Sequence, residues 1–192
     1  MNAIRAFIAI ELPESFRVAL NNVMNRLRGG IPTGVRWVPA GNIHLTLQFL
    51  GETSPANLAM LSKSLPAVAL RQRPFEFEIG GLGAFPNIRR PRVIWVGIQA
   101  PPALAELTRA IEVETSHLGY QIDGRAFSPH LTLGRVNQSA SPRDVAEISN
   151  VLTQSAVQSL GKIQVESINI YRSDLNPNGS VYTTLATFPL GR

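Results

Sequence analysis

The tetrapeptide His-Leu-Thr-Leu occurs twice in this chain, at residues 44–47 and again at 130–133, 86 residues apart in a sequence of 192. Only three histidines are present, and two of them head the same four residues. That coincidence points to an internal duplication with one copy of the motif in each half. Both copies read as strands, because leucines alternate with polar residues at a period of two. Alternation sends His44, Thr46 and Gln48 to one face and Ile43, Leu45, Leu47 and Phe49 to the other. In the second copy His130 and Thr132 share a face while Leu131 and Leu133 are buried. Each motif therefore presents one imidazole and one hydroxyl, ~7 Å apart, on an apolar base.

Around the motifs, strands and helices interleave. Ala3–Ile10 reads as a strand. Pro13 opens a helix carrying Phe16, Leu20, Val23 and Leu27, and Gly29-Gly30 ends it. Asn42–Leu50 is a strand stopped by Gly51, and Pro55 begins a helix through Leu58, Leu61 and Leu65. Phe75, Phe77 and Ile79 alternate with glutamates as a half-wet strand, followed by a turn at Gly80–Gly83 and a strand at Arg92–Gln99. Pro101-Pro102 introduce a helix ended by Gly119, the second motif occupies a strand at Pro129–Arg135, and Pro142 starts a helix through Leu152. Strands at Ile163–Tyr171 and Val181–Phe188 close the chain, separated by the turn signal Asn176-Pro177-Asn178-Gly179. The expected class is α+β with mainly antiparallel sheets. No linker or low-complexity segment divides residues 1–192, so a single domain is expected.

Composition narrows the chemistry. Hydrophobic residues make up 44% and charged residues 16%, enough for a sizeable core. The apolar runs are strand-sized, short of the ~20 residues of a membrane span, so a cytoplasmic chain without membrane contact is expected. The absence of cysteine excludes disulfides, thiol catalysis and thiolate metal sites. The net charge is +5, and sixteen of the eighteen basic residues are Arg, whose planar fork suits phosphate oxygens. A phosphate-bearing partner, nucleic acid first, fits that balance.

Two imidazoles and two hydroxyls facing one centre match the needs of phosphodiester cleavage. The attacking nucleophile loses a proton and the departing alkoxide gains one, on opposite sides of phosphorus, and imidazole serves either role near neutrality. The threonine hydroxyls can donate to non-bridging oxygens, where charge builds. The scheme calls for no metal and no cofactor; zinc sites want three or four ligands, and no third ligand keeps regular spacing with the pair. His117, late in a helix, reads as structural, and Trp37, Trp95 and Phe49 read as core. Arg89, Arg90 and Arg92 form a basic cluster that either touches phosphate or is a solvated loop.

These residues resemble the two-histidine (2H) phosphoesterase superfamily and, within it, the RNA 2′,3′-cyclic phosphodiesterases, also called 2′-5′ RNA ligases. The similarity extends through Arg5-Ala6-Phe7-Ile8-Ala9, Arg36-Trp37-Val38-Pro39, Phe49-Leu50-Gly51, Gly81–Pro86, Arg90–Trp95, Phe127-Ser128-Pro129-His130, Tyr171-Arg172-Ser173 and Gly179–Tyr182. The resemblance implies a bilobal fold of two intertwined lobes with pseudo-twofold symmetry around a central cleft. It implies metal-independent hydrolysis of an RNA terminal 2′,3′-cyclic phosphate to a 2′-phosphomonoester, with reversible ATP-independent ligation and no obligate protein partner. His44 would be the proton donor, His130 the proton acceptor, and Thr46, Thr132 and Arg135 would bind the phosphate. Strict alternation, however, places Arg135 on the leucine face. Residue 134 is Gly where many relatives carry Ala, a difference expected to matter little. Cyclic nucleotides or 2′-5′ oligonucleotides as substrates, and an RNA-end-binding module without turnover, are the alternatives.

Overall fold

The computed structural model describes residues 2–122, 124, 126–176 and 179–192. Nine strands and four helices follow in the order β1 (Ile4–Ile10), α1 (Glu14–Gly30), β2 (Val35–Trp37), β3 (Leu45–Thr53), α2 (Pro55–Leu70), β4 (Phe75–Phe85), β5 (Val93–Gln99), α3 (Pro102–Ser116), β6 (His130–Val136), α4 (Pro142–Gln154), β7 (Gly161–Val165), β8 (Ser167–Asn176) and β9 (Gly179–Pro189). They build two sheets, β3-β1-β8-β9 and β2-β6-β5-β4-β7. Every strand pairing is antiparallel. The α+β class read from the sequence is the observed one.

The duplication is visible in the topology. The first motif strand, β3, lies beside β1, and β1 lies beside β8 from the far half of the chain. The second motif strand, β6, lies beside β5, and β5 lies beside β4 from the first half. Each half thus lends two strands to the sheet of the other half's motif, β8 and β9 in one direction and β2 and β4 in the other. Helices cover the apolar faces. Leu20, Val23 and Leu27 of α1, Leu61 and Leu65 of α2, Leu104, Leu107 and Ile111 of α3, and Ile148 and Leu152 of α4 are all buried. They join Ile8, Leu45, Ile94, Leu131 and Ile170 of both sheets in one continuous apolar cluster. Each Leu or Ile so buried contributes roughly 1.5–3 kcal/mol. Caps fix the helix starts: Ser54 accepts from the Asn57 amide at α2, and Ser141 and Asp144 form a reciprocal capping box at α4.

The structure differs from the sequence reading at several strand boundaries. Gly80–Gly83 is no turn. β4 runs through it to Phe85, with an irregularity between Ile79 and Leu82 where Gly81 takes a positive φ of 80°. Ile163–Tyr171 is two strands in different sheets, broken at Glu166. Gly51 does not stop β3, which continues to Thr53, and the segment before it, Ala40–Asn42, is a 3-10 turn. At the last hairpin Asn176 pairs with Gly179, and residues 177 and 178 of the expected turn lie outside the described residues.

Candidate active site

The two motifs come together because their strands do. β3 and β6 approach within 8 Å, Cα to Cα. The Val38 amide, shortly before the first motif, donates to the Leu133 carbonyl inside the second at 2.8 Å. Leu45, Leu47, Leu131 and Leu133 are buried, while His44, Thr46, His130 and Thr132 are partly exposed on the opposite face. Among the described residues neither threonine hydroxyl has a hydrogen-bond partner.

The histidines are held alike. His44 Nδ1 lies 2.8 Å from the Asn42 carbonyl, and His130 Nδ1 lies 2.7 Å from the Ser128 carbonyl. A carbonyl can only accept, so Nδ1 carries the proton in each ring and Nε2 is left for chemistry. Asn42 also donates from its side chain to the Ser180 carbonyl at 2.6 Å, tying the β8–β9 hairpin to the first motif.

Aromatic side chains form the floor under both rings. His44 stacks on Phe7 of β1 at 4.6 Å between centroids, Phe7 stacks on Tyr171 of β8 at 5.2 Å, and Tyr182 of β9 meets His44 edge-on at 5.2 Å. His130 meets Phe85 edge-on at 4.8 Å and lies 6.3 Å from Trp95. A Cβ at Gly83 would overlap the Trp95 ring, so glycine makes the room for that indole. Burial in the first aromatic nest pushes His44 down from 6.5 to about 4, against a smaller opposite pull from the Asn42 carbonyl. The free protein therefore holds His44 neutral at physiological pH.

Three expectations about side-chain direction are corrected, all by bulges. In β3, Ala9 pairs with Thr46 but Ile8 pairs with Gln48, so Leu47 is the extra residue. Gln48 is consequently buried, its Oε1 accepting from Thr115 of α3 at 2.8 Å, and it does not face the cleft with His44. Phe49 pairs with Phe7 and is 71% exposed on the His44 face, with its ring 6.3 Å from Phe7; it is not core. In β6, Trp95 pairs with Thr132 but Ile94 pairs with Gly134, which makes Leu133 the extra residue. Alternation restarts there, and Arg135, opposite Val93, shares the face of Thr132 and Trp95. Trp95 accordingly belongs to the site floor, whereas Trp37 packs on the core with Arg28 5.5 Å from its ring centroid. Gly134 also matters more than expected: a Cβ there would come within 2.8 Å of Val35 Cγ1 and 3.1 Å of Trp37. His117 is exposed at the C-terminal end of α3.

A family model for LigT-like phosphoesterases matches the chain twice, over residues 10–95 and 96–182, each match containing one His-Leu-Thr-Leu motif. The chain belongs to that family. Among curated LigT-like relatives, an RNA 2′,3′-cyclic phosphodiesterase of Archaeoglobus fulgidus is 32% identical over 184 residues, 96% of this chain and 99% of the relative. The enzyme of the same name from Methanothermobacter thermautotrophicus is 30% identical, covering 97% of this chain and 99% of its own. The apo crystal structure of E. coli LigT superimposes with a TM-score of 0.78 at 28% identity, covering all of both chains. The same enzyme complexed with 3′-AMP gives a TM-score of 0.75 at 27% identity over 99% of each chain. The two-lobed, duplicated LigT-like architecture accounts for the twin matches, whose boundary falls inside β5. Among the described residues no helix is long and apolar enough to cross a membrane.

The aromatic nest around His44 was not visible to sequence reasoning. Phe7 lies more than 160 residues before the β8–β9 hairpin that carries Tyr171 and Tyr182, and only the sheet order β3-β1-β8-β9 stacks them. The backbone acceptors two residues before each histidine were equally hidden, since any residue type can offer a carbonyl.

Proposed function

We propose that this chain hydrolyses an RNA terminal 2′,3′-cyclic phosphate to a 2′-phosphomonoester in the cytoplasm, as one domain of two intertwined lobes. The observation that carries the reading is the matched pair of imidazoles. Each has Nδ1 fixed by the carbonyl two residues back and Nε2 without a hydrogen-bond partner among the described residues, each has a threonine hydroxyl two residues on, and their strands come within 8 Å, Cα to Cα. A curated relative bearing the cyclic phosphodiesterase name spans nearly the whole chain.

In the reaction, His130 Nε2 accepts a proton from water as its oxygen attacks phosphorus. The P–O3′ bond breaks, and His44 Nε2 donates a proton to the departing 3′-oxygen. Thr46 and Thr132 donate hydrogen bonds to the non-bridging oxygens, and Arg135 adds positive charge on the same face. His44 must be protonated to serve as the acid. The anionic phosphate supplies the condition, because a negative charge beside the buried ring offsets the desolvation that keeps it neutral in the free protein. With a 5′-hydroxyl in place of water as the nucleophile, the same proton transfers give reversible 2′-5′ ligation, with the strained cyclic ester as the only energy source and no ATP.

The test is incubation with a defined RNA bearing a 2′,3′-cyclic phosphate, EDTA present, and identification of the terminal group. A 2′-phosphate with a free 3′-hydroxyl is expected. A 3′-phosphate product, or dependence on an added metal, would overturn the assignment.

A further inference from the structure

Outside the histidine centre, the end of the five-stranded sheet carries an unusual pairing. Arg36 of β2 lies directly opposite Arg135 of β6, and Arg135 lies opposite Val93 of β5. Residues in register share a face, so both arginines stand on the face that carries Thr132 and Trp95. Both are exposed. Their Cβ atoms are ~5 Å apart by strand geometry, and like charges placed directly opposite each other destabilise a sheet. Ion pairs among the described residues occupy Arg17, Arg143 and Arg172, not these two. Asp144, which packs beside Gly34 just before β2, is taken up by Ser141 and Thr33. Arg89 and Arg90 are exposed in the connection between Phe85 and Val93, at the same end of the sheet. The bulge at Leu133 is what turns Arg135 onto this face, and β2, an edge strand of three residues, contributes Arg36 beside it.

We propose that Arg36 holds a second phosphate, the phosphodiester one nucleotide upstream of the reacting end, with Arg135 standing between that phosphate and the reacting one and donating to both, so that the site takes an RNA strand in preference to a lone cyclic nucleotide. This deepens the proposed hydrolase reading and rests on it for the direction of the strand. Two guanidinium forks on neighbouring strands suit one tetrahedral anion, which removes the repulsion between them. The pair sits outward from Thr132 along β6, where a backbone leaving the histidine centre toward the sheet edge would pass. Arg36 carries the inference, since it lies off both motifs and has no role in the chemistry at phosphorus.

The experiment compares three ligands that end in an uncleavable 3′-phosphate: a mononucleotide, a dinucleotide, and the same dinucleotide with a neutral methylphosphonate linkage. Binding to the full chain is measured across a salt series, for wild type, Arg36→Ala and Arg36→Lys. Turnover is measured in parallel on the cyclic-phosphate forms. Wild type should bind the natural dinucleotide about tenfold more tightly than the neutral one. Arg36→Ala should erase that difference, leave mononucleotide binding unchanged and reduce the salt slope by ~0.7. Arg36→Lys should keep the charge effect in part. In turnover, the loss in Arg36→Ala should fall on KM for the dinucleotide, with kcat retained. Equal binding of charged and neutral dinucleotides by wild type, or equal loss on mono- and dinucleotide in Arg36→Ala, overturns the second phosphate site. The binding arms need no catalysis, so absence of hydrolysis by wild type would count against the reaction instead.

Discussion

At the scale of single residues the assignment turns on which imidazole gives a proton and which takes one. His44→Ala and His130→Ala should each lower turnover of a cyclic-phosphate RNA by on the order of 10³-fold, and the double variant little further, since the pair acts as a unit. A substrate with a better leaving group at the 3′ position should rescue the His44 variant far more than the His130 variant. Rescue confined to His130→Ala would reverse the roles. Thr46→Ala and Thr132→Ala should cost about 10²-fold each, and the Ser variants much less, because the hydroxyl survives. Equal damage from Ala and Ser would assign those threonines to packing. The burial that holds His44 at about 4 in the free protein makes a further demand. Binding of inorganic phosphate near pH 6 should draw a proton onto His44. Calorimetry in two buffers of different ionisation enthalpy reads that uptake directly, and His44→Gln should abolish it.

At the scale of elements, β1 serves the core and the site at once. Ile8 fills the core while Phe7, on the other face of the strand, supports the His44 ring. Phe7→Leu keeps most of the buried volume, so its stability cost should be about 1 kcal/mol. The loss of the stacked ring opens His44 to water and should move its titration upward from about 4 toward 6.5, as followed by its ring proton NMR signals. A titration unmoved by Phe7→Leu would mean that Tyr182 and the backbone, not β1, bury the histidine. The motif strands show how far such elements can be read in advance. Leucine–histidine alternation correctly placed His44, Thr46, His130 and Thr132 opposite buried leucines, because packing decides those faces. It failed at Gln48, Phe49 and Arg135, each just past a bulge that inserts one residue and inverts the phase. The break at Glu166 had a legible trace: Ile163 and Val165 are buried at odd positions, Ile168 and Ile170 at even ones. Gly80–Gly83 misled because glycine serves a bulge and a close-packed indole as readily as a turn.

At the scale of the whole molecule, the exchange of β4 and β8 between sheets makes each half depend on the other for a neighbour of its central strand. Folding and site assembly are therefore coupled, and a buried ionisable group in the site must register in global stability. His44 is that group. The unfolded chain binds a proton on this imidazole below about 6.5, whereas the folded chain binds it only below about 4. Between those values the unfolded state holds more protons, so stability falls as pH falls from 6.5 to 4 and this contribution is constant outside that window. A displacement of that size amounts to about 3 kcal/mol, a large share of the 5–15 kcal/mol typical of a folded domain. Asp144 acts at lower pH. Its carboxyl, held below the usual carboxylate range by hydrogen bonds from Ser141 and then Thr33, contributes stability that is lost as pH falls below 3.8. Urea unfolding at intervals from pH 7.5 to 4 should show wild-type stability dropping steadily below pH 6.5. In His44→Gln that slope should flatten, whatever the variant's stability at neutral pH. Binding of phosphate should also flatten it, because the anion lets the folded state accept the same proton. Parallel pH profiles for wild type and His44→Gln would show that the nest around His44 admits enough water to protonate it without strain, and would remove the link between site burial and the stability of the fold.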